Sequence, residues 1–233
     1  MKKIVAIAAF FMLLLGASHA QETDLRLGFQ ISPMFSTMGT DDNKINPNGT
    51  NLGLKMGARG EIYFRENYAF LIGLGFAFNS GGTLLHENNF DPIWPNNEDL
   101  PPNAIWAGNV NLKYGVQYIE IPFGLKFRTN EFGYLRYYAE LPVITLGFKS
   151  QARGAFKNSG INEEKIDIKK DVNGLALSWG LGGGVEYGIS GSTSLIGGLS
   201  YQRVFTDVTK DHGSAVNSKG FINNFIIHLG VMF

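Results

Sequence analysis

Eight titratable residues recur at even spacing inside alternating segments of the chain: Lys55, Arg59 and Glu61; Glu120, Lys126 and Arg128; Glu140; and Glu186. Even spacing puts the members of each set on one face of an extended strand. Charges of both signs on faces turned away from solvent are tolerated only when they pair. The set therefore predicts a structural ion-pair network filling an interior. The same chemistry would also serve a selective polar path or a proton-linked site.

Other residue types suggest chemistry less strongly. His228 sits on the same face as Asn224 and Gly230, and Ser178, Ser200 and Asp207 supply the types of a nucleophile set. Acyl transfer needs a serine within reach of a base that a third group orients. No serine-centred motif surrounds these residues, so His228 is expected as a hydrogen-bonded filler and no catalytic residue is assigned. His86 and His212 fall in long connections without metal-ligand spacing, and the chain has no cysteine. Asp41-Asp42-Asn43-Lys44 through Gly49, and Asn96-Asn97-Glu98-Asp99, are rich in oxygen but lack the spacing of a calcium loop. Asn, Asp and Gly are also plain turn formers. The glycines of 180–184 lie within a strand that no helix follows, which excludes a nucleotide loop. Neither metal nor cofactor is expected.

The segment 80–108 is different in kind. It holds Phe90, Trp94 and Trp106 among four prolines, at 92, 95, 101 and 102. Aromatic residues are enriched where proteins dock partners. Phe90, Trp94 and Trp106 are thus expected either as a partner surface or as a lid packed over an opening.

The elements that carry these residues are strands. Residues 25–32 set Leu25, Leu27, Phe29 and Ile31 against Arg26, Gly28, Gln30 and Ser32. Residues 51–64, 68–79, 174–188 and 221–233 alternate in the same way, the period of a strand with two unlike faces. Residues 194–205 add a less regular strand. In 109–128 the apolar positions run Val110, Leu112, Tyr114, Val116 and then Ile119, Ile121, Phe123, Leu125, Phe127. A change of phase like this predicts a β-bulge, and 134–149 predicts another near Pro142. The eight strands are separated alternately by long and short connections: 33–50, 65–67, 80–108, 129–133, 150–173, 189–193 and 206–219. Tight turns on one side and large loops on the other are the pattern of a membrane barrel.

Alternation alone does not say which face points outward. The apolar faces carry no charge apart from Arg203 at a strand end, whereas a Lys or Arg at mid-bilayer costs about 2–4 kcal/mol. The opposite faces are dominated by Gly, Ala and Ser, which suit the cramped interior of an eight-stranded barrel and not a solvated surface. Strand edges cannot be left unpaired in lipid, so the sheet must close. The fold expected is all-β: an eight-stranded antiparallel transmembrane β-barrel with short periplasmic turns and long extracellular loops.

Composition bounds the rest. Met1-Lys2-Lys3, the apolar run Ile4–Leu15 and the small residues up to Ala20 have the layout of a cleaved secretory signal peptide. Residues 1–20 are therefore expected as the leader and 21–233 as the barrel, placed in the outer membrane. The chain carries 20 basic and 20 acidic residues, and without Lys2 and Lys3 the balance is 18 to 20. A polyanion binder would show a basic excess, so nucleic acid is not expected as a partner.

The stretch Tyr118-Ile119-Glu120-Ile121-Pro122-Phe123-Gly124-Leu125-Lys126-Phe127 resembles the hallmark strand of the PorT-like outer-membrane β-barrel family. Gly182-Gly183-Gly184-Val185-Glu186-Tyr187 is similar to that family's glycine-rich strand ending in a Glu, and the aromatic Phe233 fits as well. The family takes its name from a component linked to a protein secretion system. The function expected of the chain is that of a non-enzymatic outer-membrane barrel with a structural or protein-partner role, as an accessory to secretion or envelope assembly. Its partners would be outer-membrane lipid and envelope or secretion proteins. A narrow channel or small-solute binder using the charged interior is the alternative, and a lipid-modifying enzyme the third reading.

Overall fold

The computed structural model of the protein describes residues 24–89, 94, 108–158, 161–210 and 218–233. The expected leader, 1–20, lies outside them, as do Phe90, Trp106, His212 and Asn96–Asp99. Strands β1 (Asp24–Thr40), β2 (Ile45–Arg65), β3 (Tyr68–Asn89), β4 (Gly108–Arg128) and β5 (Leu135–Asn158) follow one another. Then come β6 (Ile161–Asp167), a 3-10 turn Lys169–Asp171, β7 (Leu175–Ser190), β8 (Thr193–Val204) and β9 (Gly220–Met232).

Every pairing is antiparallel. β1 to β5 and β7 to β9 each pair with the next, β5 pairs with β7, and β9 returns to β1 from Gly28↔Met232 to Thr40↔Gly220. Eight strands therefore close into a ring with no free edge in lipid, as closure requires. The wall carries its apolar side chains outward: Phe29 is 68% exposed and Leu52 71%. Exposed aromatics cluster at the short-turn end, with Phe64 against Phe70 at 4.8 Å and Tyr68 edge-on to Phe127 at 5.5 Å. These are the girdle residues of a membrane interface.

Three expectations need correction. The connections 33–50, 80–108 and 150–173 are much shorter than the alternation suggested. β1 runs on to Thr40, β2 starts at Ile45, and β3 and β5 continue to Asn89 and Asn158. A tilted strand needs only about 9–11 residues to cross a bilayer, so strands of 21 to 24 residues (β2 to β5) stand well clear of it. Second, 150–173 contains a ninth strand: β6 hangs on the outer part of β5, from Arg153↔Asp167 to Asn158↔Ile161, outside the ring.

Third, β4 has no change of phase. Val110, Leu112, Tyr114, Val116 and Tyr118 are all buried inside the barrel, on the same face as Glu120 and Lys126. What changes is the chemistry of the interior, polar in the membrane and apolar beyond it. The register shifts lie in the neighbouring strands, in β3 between Ala77 and Ser80 and in β5 opposite Gln117/Tyr118. Asn79 takes a positive φ of 59° there, which Asn tolerates better than most residues. The change of phase expected near Pro142 is present, between Glu140 and Val143.

The barrel thus holds two cores stacked along its axis. Toward the outside, Met34, Met38, Leu84, Leu112, Tyr114, Phe156, Ile168, Val208 and Ile222 form one apolar cluster. Each large apolar side chain removed from water there contributes about 1.5–3 kcal/mol. Toward the periplasm the interior is charged.

Candidate functional site in the barrel lumen

β2 presents Lys55, Arg59, Glu61 and Tyr63 to the lumen, alternate residues on the inward face that the pleat dictates. Lys126 from β4 is at the centre and 1% exposed. It donates to Glu61 at 2.6 Å and also to Glu186 of β7, with its ammonium 4.6 Å from the Tyr138 ring centre. Arg59 bridges Glu61 at 3.2 Å and Glu140 of β5. Arg26 of β1 reaches Glu186 at 3.1 Å and the hydroxyl of Ser194. The result is one continuous chain, Arg26–Glu186–Lys126–Glu61–Arg59–Glu140, closed off by Tyr63, whose hydroxyl donates to Glu61 at 2.7 Å.

A second group lies nearer the apolar core. Lys55 donates to Glu120 at 2.7 and 2.9 Å and to the Gln202 amide oxygen at 2.5 Å. Gln202 donates onward to Ser178 at 2.7 Å and accepts from Asn224 at 3.2 Å. Together the two groups hold four cations and four carboxylates. Their charges cancel, which is what allows them to sit in a medium that does not solvate them.

Seven of the eight residues read from the sequence are brought together here. Arg128 is placed elsewhere: its guanidinium stacks 3.9 Å from the Tyr63 ring centre, and Nε donates to the Glu66 carbonyl in the periplasmic turn. Sequence reading missed Arg26, Tyr63, Tyr138 and Gln202. Arg26 was visible in principle, because it shares the inward phase of β1 with Gly28, Gln30 and Ser32. The two tyrosines carried no charge to mark them.

His228 bonds to two serines, Ser32 at Nδ1 (3.0 Å) and Ser200 at Nε2 (2.7 Å). Ser178 is engaged with Gln202, and Asp207 holds the β8–β9 loop by accepting from Thr209 and Gly220 at 2.9–3.0 Å. The serine, histidine and carboxylate types are not assembled into one constellation. A chamber of about 100 Å³ lies beside His228, walled by Lys55, Arg59, Glu120, Glu140 and Ser200. That is room for a few waters. Among the described residues no group of three His, Asp or Glu side chains could hold a metal ion.

Above this level Trp94 is inserted into the mouth, 5% exposed, edge-on to Tyr114 at 5.7 Å and near Phe156 at 6.5 Å. A Cβ on Gly154 would strike its ring within 3 Å, so the glycine is what lets the indole lie against β5. Of the three aromatics read as a partner surface or lid, this one is packed as a lid.

A family model described as outer membrane protein beta-barrel domain matches residues 19–210. No curated protein matches the chain. Among solved structures, Neisserial surface protein A is 11% identical, with 88% of this chain and 95% of that one covered and a TM-score of 0.45. Ail, the attachment invasion locus protein of Yersinia pestis, is 14% identical, covering 89% and 98%, at 0.40. A major outer membrane protein from Thermus thermophilus is 13% identical, covering 90% and 99%, at 0.43. These likenesses are distant. The match to residues 19–210 stops before β9, the strand that closes the ring onto β1.

Proposed function

We propose that this chain, which belongs to the outer membrane protein β-barrel domain family and resides in the outer membrane, is a non-enzymatic, non-conducting barrel with a structural or protein-partner role. The observation that carries this reading is a lumen filled at two successive levels. The paired charges around Lys126 occupy the membrane level, and the apolar cluster under Trp94 occupies the mouth. An eight-stranded ring has an interior only wide enough for side chains, and here its charged side chains are paired with one another. Catalysis is disfavoured because the Ser200–His228 contact faces a chamber of about 100 Å³ and lacks a carboxylate partner on the second ring nitrogen.

The PorT-like resemblance of Tyr118–Phe127 supports an accessory role in secretion or envelope assembly. The partners would then be envelope or secretion proteins meeting the parts that stand outside the lipid. The test has two arms. Purified protein in a planar bilayer is expected to give no single-channel steps, and cross-linking in native outer membranes is expected to capture envelope or secretion components. Steady ion-selective conductance would overturn the reading in favour of a narrow channel through the chamber beside His228. Loss of a lipid-modifying activity in His228→Ala would overturn it in favour of an enzyme.

A further inference from the structure

The outer parts of β4 and β5 form a rigid two-faced sheet. The inward face, Leu112, Tyr114, Val116, Ala152 and Phe156, is locked into the apolar cluster. The outward face is polar and basic. Lys113 pairs in register with Ala155, which sits between Arg153 and Lys157 on β5, so Lys113 is the diagonal neighbour of both. All three cations are exposed. The one carboxylate in register with them is Asp167 of β6, opposite Arg153. Like charges this close on a sheet face repel. With the exposed Glu163, Glu164 and Lys165 of β6 counted as well, four cations face three carboxylates, and the excess is left for an external anion to neutralise. Amides flank the cations: Gln117 pairs with Gln151, and Asn111 pairs with Lys157 while accepting from Asn48 at 2.5 Å.

Height selects the kind of anion. Ile119 and Phe148 are the last lipid-facing apolar residues on these two strands. With a rise of about 3.3 Å per residue and a tilt near 40°, Lys113 and Arg153 stand about 13–15 Å beyond them, and Lys157 higher still. That is past the phosphates of a lipid headgroup and at the level of sugar chains outside the cell. From Arg153 to Lys157 the strand spans about 13 Å, long enough to follow several sugar units.

We propose that this outward face of β4 and β5 binds an anionic polysaccharide, with its acidic groups on Lys113, Arg153 and Lys157 and its hydroxyls on Asn111, Gln117 and Gln151. The site goes beyond the structural or protein-partner role and does not depend on it.

The test uses the full chain in zwitterionic nanodiscs, with dextran sulfate, polygalacturonate, neutral dextran and a DNA duplex as probes. The two acidic polysaccharides are expected to bind and neutral dextran is not. The variant Lys113→Gln/Arg153→Gln/Lys157→Gln is expected to weaken binding at least about tenfold, roughly 1.4 kcal/mol. The control Lys44→Gln/Lys210→Gln/Lys219→Gln, with the same change in net charge, is expected to leave it unchanged. Because all six side chains are exposed, a gel shift on heating should show both variants folded. The proposal is overturned if neither acidic polysaccharide binds, if both triple variants lose affinity equally, or if the duplex binds more tightly than the polysaccharides.

Discussion

Glu120 shows how a single residue in this lumen is held. Its carboxylate accepts twice from Lys55, and both side chains are largely removed from water. Removing one partner strands the other, at a cost of roughly 3–5 kcal/mol for a buried pair. Glu120→Ala should therefore destabilise the barrel more than Glu120→Ala combined with Lys55→Met. Urea unfolding in lipid vesicles measures the difference, and equal stabilities would show that Lys55 finds another partner. His86, outside the lipid, behaves differently. Burial pushes its pKa below the ordinary value, with Asp42 opposing, and its Nε2 has no hydrogen-bond partner among the described residues. The folded state resists a proton that the unfolded state accepts below about pH 6.5. Stability of this corner is thus full above that pH and is lost as pH falls toward the lower folded value. The protection factors of the Ile45 and Glu87 amides, corrected for the intrinsic pH dependence of exchange, should fall on acidification in the native chain, and His86→Asn should flatten that response.

At the scale of elements, the eight strands of the ring were legible because lipid and lumen impose opposite chemistries on alternate residues. That code inverts where the strand leaves the membrane. Outside, Lys113 and Arg153 face water while Leu112 and Phe156 turn inward, so the continuous strand β4 reads as though it broke at Val116–Ile119. The same inversion hid the outer lengths of β3 and β5 and all of β6. The charged residues were legible as a face but not as pairs, because the links cross the lumen between strands far apart in sequence. Trp94 was legible as unusual, yet its burial depends on Gly154, sixty residues further on. Trp94→Ala removes an aromatic from a packed cluster, a loss of about 3–5 kcal/mol when fully expressed. The damage should stay local. Hydrogen exchange should accelerate at Val110–Val116 and Ala152–Phe156 while the membrane part keeps its protection. Unchanged exchange in both segments would mean the indole merely rests on the rim.

For the whole molecule, alternation specifies only which side of the wall a residue takes. A strand displaced by two residues keeps every apolar side chain in lipid and every small one inside. The ion chain does not survive such a slip. Glu186 of β7 meets Arg26 of β1 and Lys126 of β4, and Glu140 of β5 meets Arg59 of β2. None of these strand pairs are neighbours in the ring. The links therefore work as spokes across a wheel, and they close together in one alignment of the rim. Their consequence is an absolute address for each strand, which the lipid cannot supply. In Arg26→Met/Lys126→Met/Glu186→Gln the address of β7 is erased, while Glu61 keeps Arg59 and no buried carboxylate or cation of the ion chain is left without a partner. Cysteines placed at Leu135 and Tyr187, opposite each other in the native register, should cross-link fully in the otherwise native barrel. In the erased barrel a share of the link should move to a cysteine at Val185 or Ile189, the mark of a wheel that can turn by one notch.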